Sequence, residues 1–281
     1  MLKTGGGVFA AGGREISLGQ RTLLMAIVNL SPDSFSGDGS ENIDFAVSQS
    51  LQFAAAGADI IDIGGESTRP GYIPVNYEEE AQRVLPVLQA LQGKCSALIS
   101  VDTCKPAIFR AAAKVGASIY NSIAGATDEM LSTAADLGCP VVIMHNKSKA
   151  EYKNVVDEVI AYLADGASKA LKVGLKKEQI ILDPGIGFGK TADHNLAIMG
   201  SLERISALGF PTMLGSSRKS TIGKITGKPV EQRAFGTAAT VAIAIACGID
   251  IVRVHDVVDI ADVIKMSDAI LRNWRPEGWE E

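Results

Sequence analysis

The sequence predicts an α/β fold, a (β/α)8 (TIM) barrel formed as a single domain over residues 1–281, and three observations carry that reading. Eight apolar runs each end in a polar residue and a Gly- or Ser-rich turn, at 23–29, 59–66, 98–103, 119–122, 141–146, 180–190, 212–217 and 251–256. They start roughly 20–40 residues apart and alternate with helical patterns, as βα units do. The chain has 281 residues, and one such barrel needs about 250, so no second core is required.

The clearest run is Ile180-Ile-Leu-Asp183-Pro-Gly185-Ile-Gly187-Phe188-Gly189-Lys190. Three apolar residues lead into a carboxylate and then a turn with three glycines, which reads as a buried parallel strand delivering one charge at its C-terminal end. The spacing G-x-G-x-G after a proline does not fit the dinucleotide fingerprint. It suits a turn where a flat ligand approaches the backbone.

The elements follow in order. Residues 7–20 form a small N-terminal β-hairpin around Gly12-Gly13, expected to plug the bottom of the barrel, which itself spans about 22–273. Strand one ends at Asn29 and opens into a Pro/Ser/Asp/Gly loop, 30–39, in which Phe35 has nothing local to bury against. Helix one covers about 42–56. Strand two leads to a second Gly/Pro-bounded loop, 65–73. Both loops are poor in apolar anchors and are expected to open at low cost. Helix two covers about 77–92. Strand three ends at Asp102, and helix three, about 105–115, carries Pro106 in its first turn. Strand four carries Asn121, and helix four covers about 127–137. Strand five ends at His145, and helix five covers about 151–173. Helix six, about 193–208, follows the Asp183 motif, with His194 expected in solvent. Strand seven leads to Ser216-Ser-Arg-Lys-Ser220, helix seven covers about 230–247, strand eight ends Arg253-Val-His255, and helix eight covers about 258–273.

Composition narrows the function. Hydrophobic residues at 47% and charged residues at 21% are the balance of an ordinary soluble protein. A net charge of −5 leaves no broad basic footprint for nucleic acid or an anionic membrane. No apolar run reaches the ~20 residues that span a bilayer, and the N-terminus lacks a signal-type apolar core. The four cysteines show no metal-binding spacing and suit a reducing, cytoplasmic setting.

In a barrel the strand ends meet on one face, here bringing together Asn29, Asp102, Asn121, His145, Asp183, Lys219, Arg253 and His255. Two readings of Asp102 and Asp183 stand side by side. Either they pair with Lys219 or Arg253 and close the barrel top, or they accept hydrogen bonds from a ligand with an amidine-like edge. Lys219, Arg253 and His255, read as a cluster of three cationic groups, follow strands seven and eight, where such barrels bind phosphate, and the backbone around Ser216–Ser220 can face an anion as well. His145 is open between site lining and a satisfied core histidine.

Seven segments, in this order, resemble the dihydropteroate synthases over about residues 20–270: Asn29-Leu-Ser-Pro-Asp-Ser-Phe-Ser36, 57–71 with Gly64-Gly-Glu-Ser-Thr-Arg-Pro-Gly71, Ser100-Val-Asp-Thr103, Met144-His-Asn146, Leu182 to Lys190, Ser217-Arg-Lys-Ser220 and Arg253-Val-His255. The resemblance implies condensation of a dihydropterin-hydroxymethyl diphosphate with 4-aminobenzoate, giving dihydropteroate and diphosphate. It implies that Asp102, Asn121, Asp183 and Lys219 hold the pterin, that Asn29 contacts Mg2+, and that Thr68, Arg253 and His255 serve the diphosphate. Phe35, Pro70, Phe188 and Ser220 would shape the aminobenzoate site, with Lys219 shared; Lys219, Arg253 and His255 would be the catalytic groups. It also implies small-molecule substrates as partners, and a homodimer. Two departures stand out: Asn121-Ser122 replaces the usual Asn-Asp, and the loop aspartate Asp38 is displaced by one position. The same barrel also resembles folate-binding methyltransferases that serve a corrinoid, which need no diphosphate site. A pterin-binding protein without turnover is the third reading.

Overall fold

The computed structural model describes residues 7–30, 39–66 and 74–280. Eight parallel strands form the barrel: β3 (Leu23–Asn29), β4 (Ile60–Gly64), β5 (Leu98–Asp102), β6 (Ile119–Asn121), β7 (Val141–Met144), β8 (Ile180–Asp183), β9 (Met213–Leu214) and β10 (Ile251–Val254). They pair in the order β8-β7-β6-β5-β4-β3-β10-β9, and a parallel bridge between Leu182 and Thr212 closes the ring. All eight expected runs are strands in the expected sequence.

Side chains alternate along each strand, and this period of two sorts the protein into layers. Leu24, Ala26, Ile61, Ile63, Val101, Ile143, Leu182, Val252 and Val254 point outward into the core between sheet and helices. The alternate positions point into the barrel. At its N-terminal end Leu23, Met25, Ile60, Leu98, Ile119, Val142, Ile181, Met213 and Ile251 form a continuous apolar cluster. The next inward positions are polar: Asp62, Ser100, Asp102, Asn121, Asp183 and Arg253. The lower half of the barrel interior is therefore a hydrocarbon layer, and the upper half is an ionic one.

The expected hairpin is β1 (Val8–Ala11) and β2 (Arg14–Ser17), with Gly12 and Gly13 at φ 56° and 73°, the double left-handed turn that glycine permits. It plugs the bottom as expected. Phe9 is fully buried in the lower apolar layer, and Arg14 donates to the Ser96 carbonyl at 2.9 Å. Burial of one such phenylalanine contributes about 1.5–3 kcal/mol.

Ten helices surround the barrel among the described residues: α1 (Gly39–Ala55), α2 (Tyr77–Leu91), α3 (Pro106–Ala113), α4 (Asp128–Leu137), α5 (Val155–Lys172), α6 (Ala192–Met199), α7 (Leu202–Ser206), α8 (Ser220–Thr226), α9 (Ala234–Ala246) and α10 (Val257–Leu271). Asn76, Thr127, Asn154 and Thr191 cap α2, α4, α5 and α6 by accepting backbone N–H bonds. Three expectations are corrected. Helix five starts at Val155, because Asn154 caps it. Helix six is two helices, since Gly200 and the non-helical Ser201 (φ −136°) break the pattern. Ser220 opens a seven-residue helix, α8, too short to carry a periodic signal, and α9 starts only at Ala234, after a 3-10 turn at 230–232. His194 is half-buried. Its Nδ1 accepts the Thr191 N–H at 3.3 Å, and its ring meets Tyr152 edge-on.

Candidate active site

The register places the polar layer at one height. Gly64 lies opposite both Asn29 and Asp102, Asp102 opposite Asn121, and Met144 opposite Asp183. A methyl group on Gly64 would sit 3.7 Å from both Asn29 Oδ1 and Asp102 Cβ, so those two side chains flank the glycine.

Arg253 is the centre of the ionic layer. Its Nε donates to Asp62 Oδ2 at 2.6 Å and its Nη2 to Asp102 Oδ2 at 2.9 Å. Asn121 Nδ2 donates to the same Asp62 oxygen at 2.9 Å. The other oxygens, Asp62 Oδ1 and Asp102 Oδ1, are buried with no hydrogen-bond partner. Such acceptors are costly unless something fills them. Burial pushes the Asp102 carboxyl up to about 7, with Asp62 and Glu80 adding to the effect and Arg253 and Lys219 opposing it. The pairing of Asp102 with Arg253 is realised through one oxygen, and the other oxygen has no hydrogen-bond partner among the described residues.

Asp183 ends β8, and its Oδ1 accepts the Gly185 N–H at 2.7 Å. Burial raises its carboxyl; the Gly185 N–H, Lys219, Arg253 and Lys190 pull it back. No hydrogen bond reaches Asp183 Oδ2 from the described residues. Gly185 has φ 67°, and an added Cβ would lie 2.0 Å from the His145 carbonyl oxygen, so the turn admits glycine alone.

The turn is tied by Lys190, whose role the sequence left unread. Its Nζ donates to the Gly185 carbonyl at 2.9 Å, the Phe188 carbonyl at 3.0 Å and the His145 carbonyl at 3.2 Å, and meets His145 Nδ1 at 2.9 Å. Burial lowers Lys190 to about 7. His145 is thereby a satisfied histidine, lowered to about 4 by burial and by Lys190.

Lys219 immediately precedes α8 without capping it, and its Nζ lies 4.2 Å from the centre of the Phe188 ring. Burial and Arg253 bring it down to about 8. Two of the expected substrate residues thus touch, and Ser220, itself exposed, opens α8. Arg218 stands in the left-handed region at φ 55°, held by its ion pair with Asp256 and by donation of its N–H to Thr237 Oγ1 at 3.1 Å. Such a conformation persists only where the surroundings enforce it.

His255 departs from expectation in charge. Burial and the neighbouring Arg253 and Arg218 lower it to about 3, and its Nδ1 lies 3.0 Å from Ser217 Oγ. It faces the site as a neutral imidazole near pH 7, so among the described residues the cations there are Lys219 and Arg253. Thr68, Phe35 and Pro70, with both loops and Asp38, lie outside the described residues. Ser122, at the first departure, accepts the Ala124 N–H at 3.1 Å and lies 3.7 Å from Cys104 Sγ.

Asn29 is the expected metal contact. Mg2+ takes one or two protein oxygens and completes its shell with phosphate oxygens and water. The Asn29 amide oxygen fits that donor set, and no cluster of three His, Cys, Asp or Glu competes with it among the described residues.

Asp62 and Lys190 were missed from the sequence. The signal for Asp62 was present: a carboxylate in the middle of the apolar strand Ile60-Ile-Asp-Ile needs a buried partner.

A closed barrel with carboxylates, an amide and an arginine at its mouth defines an enzyme class that grips a flat donor-bearing heterocycle next to an anion. The model of the pterin binding enzyme family matches residues 25–255. A dihydropteroate synthase of Clostridium beijerinckii is 46% identical over 267 residues, 93% of this chain and 98% of its own. The Xanthomonas albilineans dihydropteroate synthase solved with 4-aminobenzoic acid is 39% identical, covers 94% of this chain and 98% of its own, and superposes with a TM-score of 0.88. The same organism's enzyme in complex with 7,8-dihydropteroate gives 37% identity, the same coverages and a TM-score of 0.86. The chain belongs to the dihydropteroate synthase family.

Proposed function

We propose that the chain condenses (7,8-dihydropterin-6-yl)methyl diphosphate with 4-aminobenzoate to dihydropteroate and diphosphate, with the residues above in named roles. The observation that carries the reading is a pair of acceptors that take no hydrogen bond from the described residues, buried Asp102 Oδ1 and Asp183 Oδ2, beside Asn121 and across from Arg253. The pterin N–H donors meet Asp183 and Asp102 in charge-assisted bonds, and Asn121 completes the edge. Arg253 and the neutral N–H of His255 face the diphosphate. Lys219 and Phe188 together floor the aminobenzoate side, with Ser220, Phe35 and Pro70 around it.

The reaction breaks the bond from the pterin methylene to the diphosphate oxygen, forms the bond to the arylamine nitrogen and releases one proton. As diphosphate leaves, positive charge spreads from the methylene into the ring, where Asp102 and Asp183 stabilise it. Arg253 stabilises the departing anion. Mg2+ bound at Asn29 would neutralise diphosphate oxygens.

We also propose a cytoplasmic homodimer. The four cysteines are unpaired thiols. Phe235, Ala239 and Ile243 form an exposed stripe on α9, with Met266 and Ile270 exposed on the adjoining α10; Phe235 is 92% exposed. Among the described residues no helix is long and apolar enough to cross a membrane.

The test is dihydropteroate formation and diphosphate release from the two substrates, with and without Mg2+. Both products should appear in equal amounts and fall sharply without the metal. Release of diphosphate without dihydropteroate, or neither product, would refute the reading.

A further inference from the structure

We propose that Asp62 is a positioning residue for this reaction, holding Arg253 to the diphosphate side while the pterin takes Asp102. The inference rests on the roles of Arg253 and Asp102 in the proposed function.

Asp62 sits in the middle of β4 with its side chain inside the barrel and no solvent exposure. Its Oδ2 gathers Arg253 from β10 on one side, through Nε and Nη2, both at 2.6 Å, and Asn121 from β6 on the other, at 2.9 Å. One carboxylate oxygen thereby links the anion-facing and pterin-facing halves of the site. Asp62 is itself out of reach of bulk solvent and stands below the oxygens left for the ligand.

The need for it follows from the double duty of Asp102. Asp102 accepts from Arg253 Nη2 at 2.9 Å. It is also the acceptor for the pterin. A donor arriving at Asp102 competes with Arg253, and a guanidinium freed of its only carboxylate would be pulled toward Asp183 or out with the diphosphate. Asp62 removes that outcome. Nε remains bonded to a buried charge that the pterin does not use, while Nη1, which makes no hydrogen bond among the described residues, stays open to the anion. The same oxygen fixes the Asn121 amide with Nδ2 turned down, so its Oδ1 is the atom presented upward. Among the described charged groups, Asp62 binds Arg253 and acts on Asp102, which shares that arginine.

The experiment is a double-mutant cycle in steady-state kinetics on the full chain with both substrates, using Asp62→Asn, Arg253→Met and the double variant. Asn conserves volume and an acceptor for Arg253 but removes the charge. Asp62→Asn is expected to keep its thermal midpoint within a few degrees, to lose tenfold or more in kcat, and to keep the KM for 4-aminobenzoate within twofold. The double variant is expected to be no slower than Arg253→Met alone, because Asp62 acts through that arginine. A purely structural Asp62 would lower the midpoint and the active fraction but leave KM and the turnover per active site unchanged. Losses that multiply in the double variant, or a wild-type kcat in Asp62→Asn, would overturn the proposal. If Asp62→Asn yields no soluble protein, thermal midpoints decide: Arg253→Met strands a buried carboxylate, and adding Asp62→Asn should restore the midpoint. No restoration overturns the pairing. Failure of the wild-type chain itself to form dihydropteroate would refute the proposed function instead, and is read separately.

Discussion

Replacing Asp183 by Asn tests the pterin site at the atom where the geometry is tightest. Asp183 Oδ1 is committed to the Gly185 N–H at 2.7 Å, inside a turn that only glycine can make. Asn has one acceptor and one donor at the same two places. If its oxygen keeps Gly185, its NH2 faces the pterin where an acceptor stood; if it flips, NH2 confronts the Gly185 N–H. Either way a donor meets a donor. The lost charge-assisted bond is worth about 1.5–3 kcal/mol, and the unmatched buried donor costs about 1–3 kcal/mol more. The sum, about 2.5–6 kcal/mol, corresponds to roughly sixtyfold to twenty-thousandfold in Kd. The assay is calorimetric titration with a hydroxymethylpterin that lacks the diphosphate, so that Arg253 and the metal do not contribute. Folding should not suffer, because burial already raises the Asp183 carboxyl and the neutral amide avoids that cost. An affinity within threefold of wild type, in a variant that melts normally, would refute the assignment of Asp183.

The pH dependence of Asp102 has opposite signs for binding and for folding. Its folded value, about 7, lies above the ordinary carboxylate range, so its contribution to stability is complete below about pH 4 and is lost as pH rises through about 7. The pterin needs the ionised form, so affinity should weaken as pH falls below about 7, by up to tenfold per pH unit; Asp102→Asn should abolish both trends, as followed by thermal melts and pterin titration between pH 5 and 9. Gly185→Ala should cost about 3 kcal/mol or more in denaturant unfolding, since its Cβ would lie 2.0 Å from the His145 carbonyl oxygen at φ 67°. Phe235→Glu should turn a dimer into a monomer in sedimentation, with the melting point otherwise near that of the wild type.

The barrel was legible because each strand writes its own boundaries: an apolar run, a polar inward residue, a glycine turn. Asp102, Asn121 and Asp183 could be read from the same grammar, since the strand end fixes where they stand. Asp62 hid one step deeper. Its strand continues through Ile63 and Gly64, so it read as part of the run, and only the pairing of β4 with β5 and of β5 with β6 shows it beneath Asp102 and Asn121. Lys190 hid for another reason. It stands in a loop, where a lysine ordinarily meets water, and its partners are backbone carbonyls that carry no sequence signal. The charge of His255 was misjudged because residue type gives a reference value, whereas Arg253, Arg218 and burial set the actual one. α8 was missed because seven residues are too few to show a period.

The proposed roles give a physical reason for this arrangement to favour bond cleavage over mere binding. Three carboxylates, Asp62, Asp102 and Asp183, face two cations, Lys219 and Arg253, inside a layer closed from below by hydrocarbon. With every group ionised the formal sum is 2 − 3 = −1. Burial answers that excess by raising Asp102 to about 7, so near neutral pH this group lies close to taking up a proton. A neutral pterin does not cancel the excess carboxylate charge. The positive charge that grows on the pterin ring as diphosphate departs does cancel it, and it does so only at the transition state and beyond. The interaction is therefore stronger in the transition state than in the ground state, which is the condition for raising kcat rather than lowering KM. The three carboxylates are buried above the hydrocarbon layer around Phe9, where water screens their charge far less than at the rim.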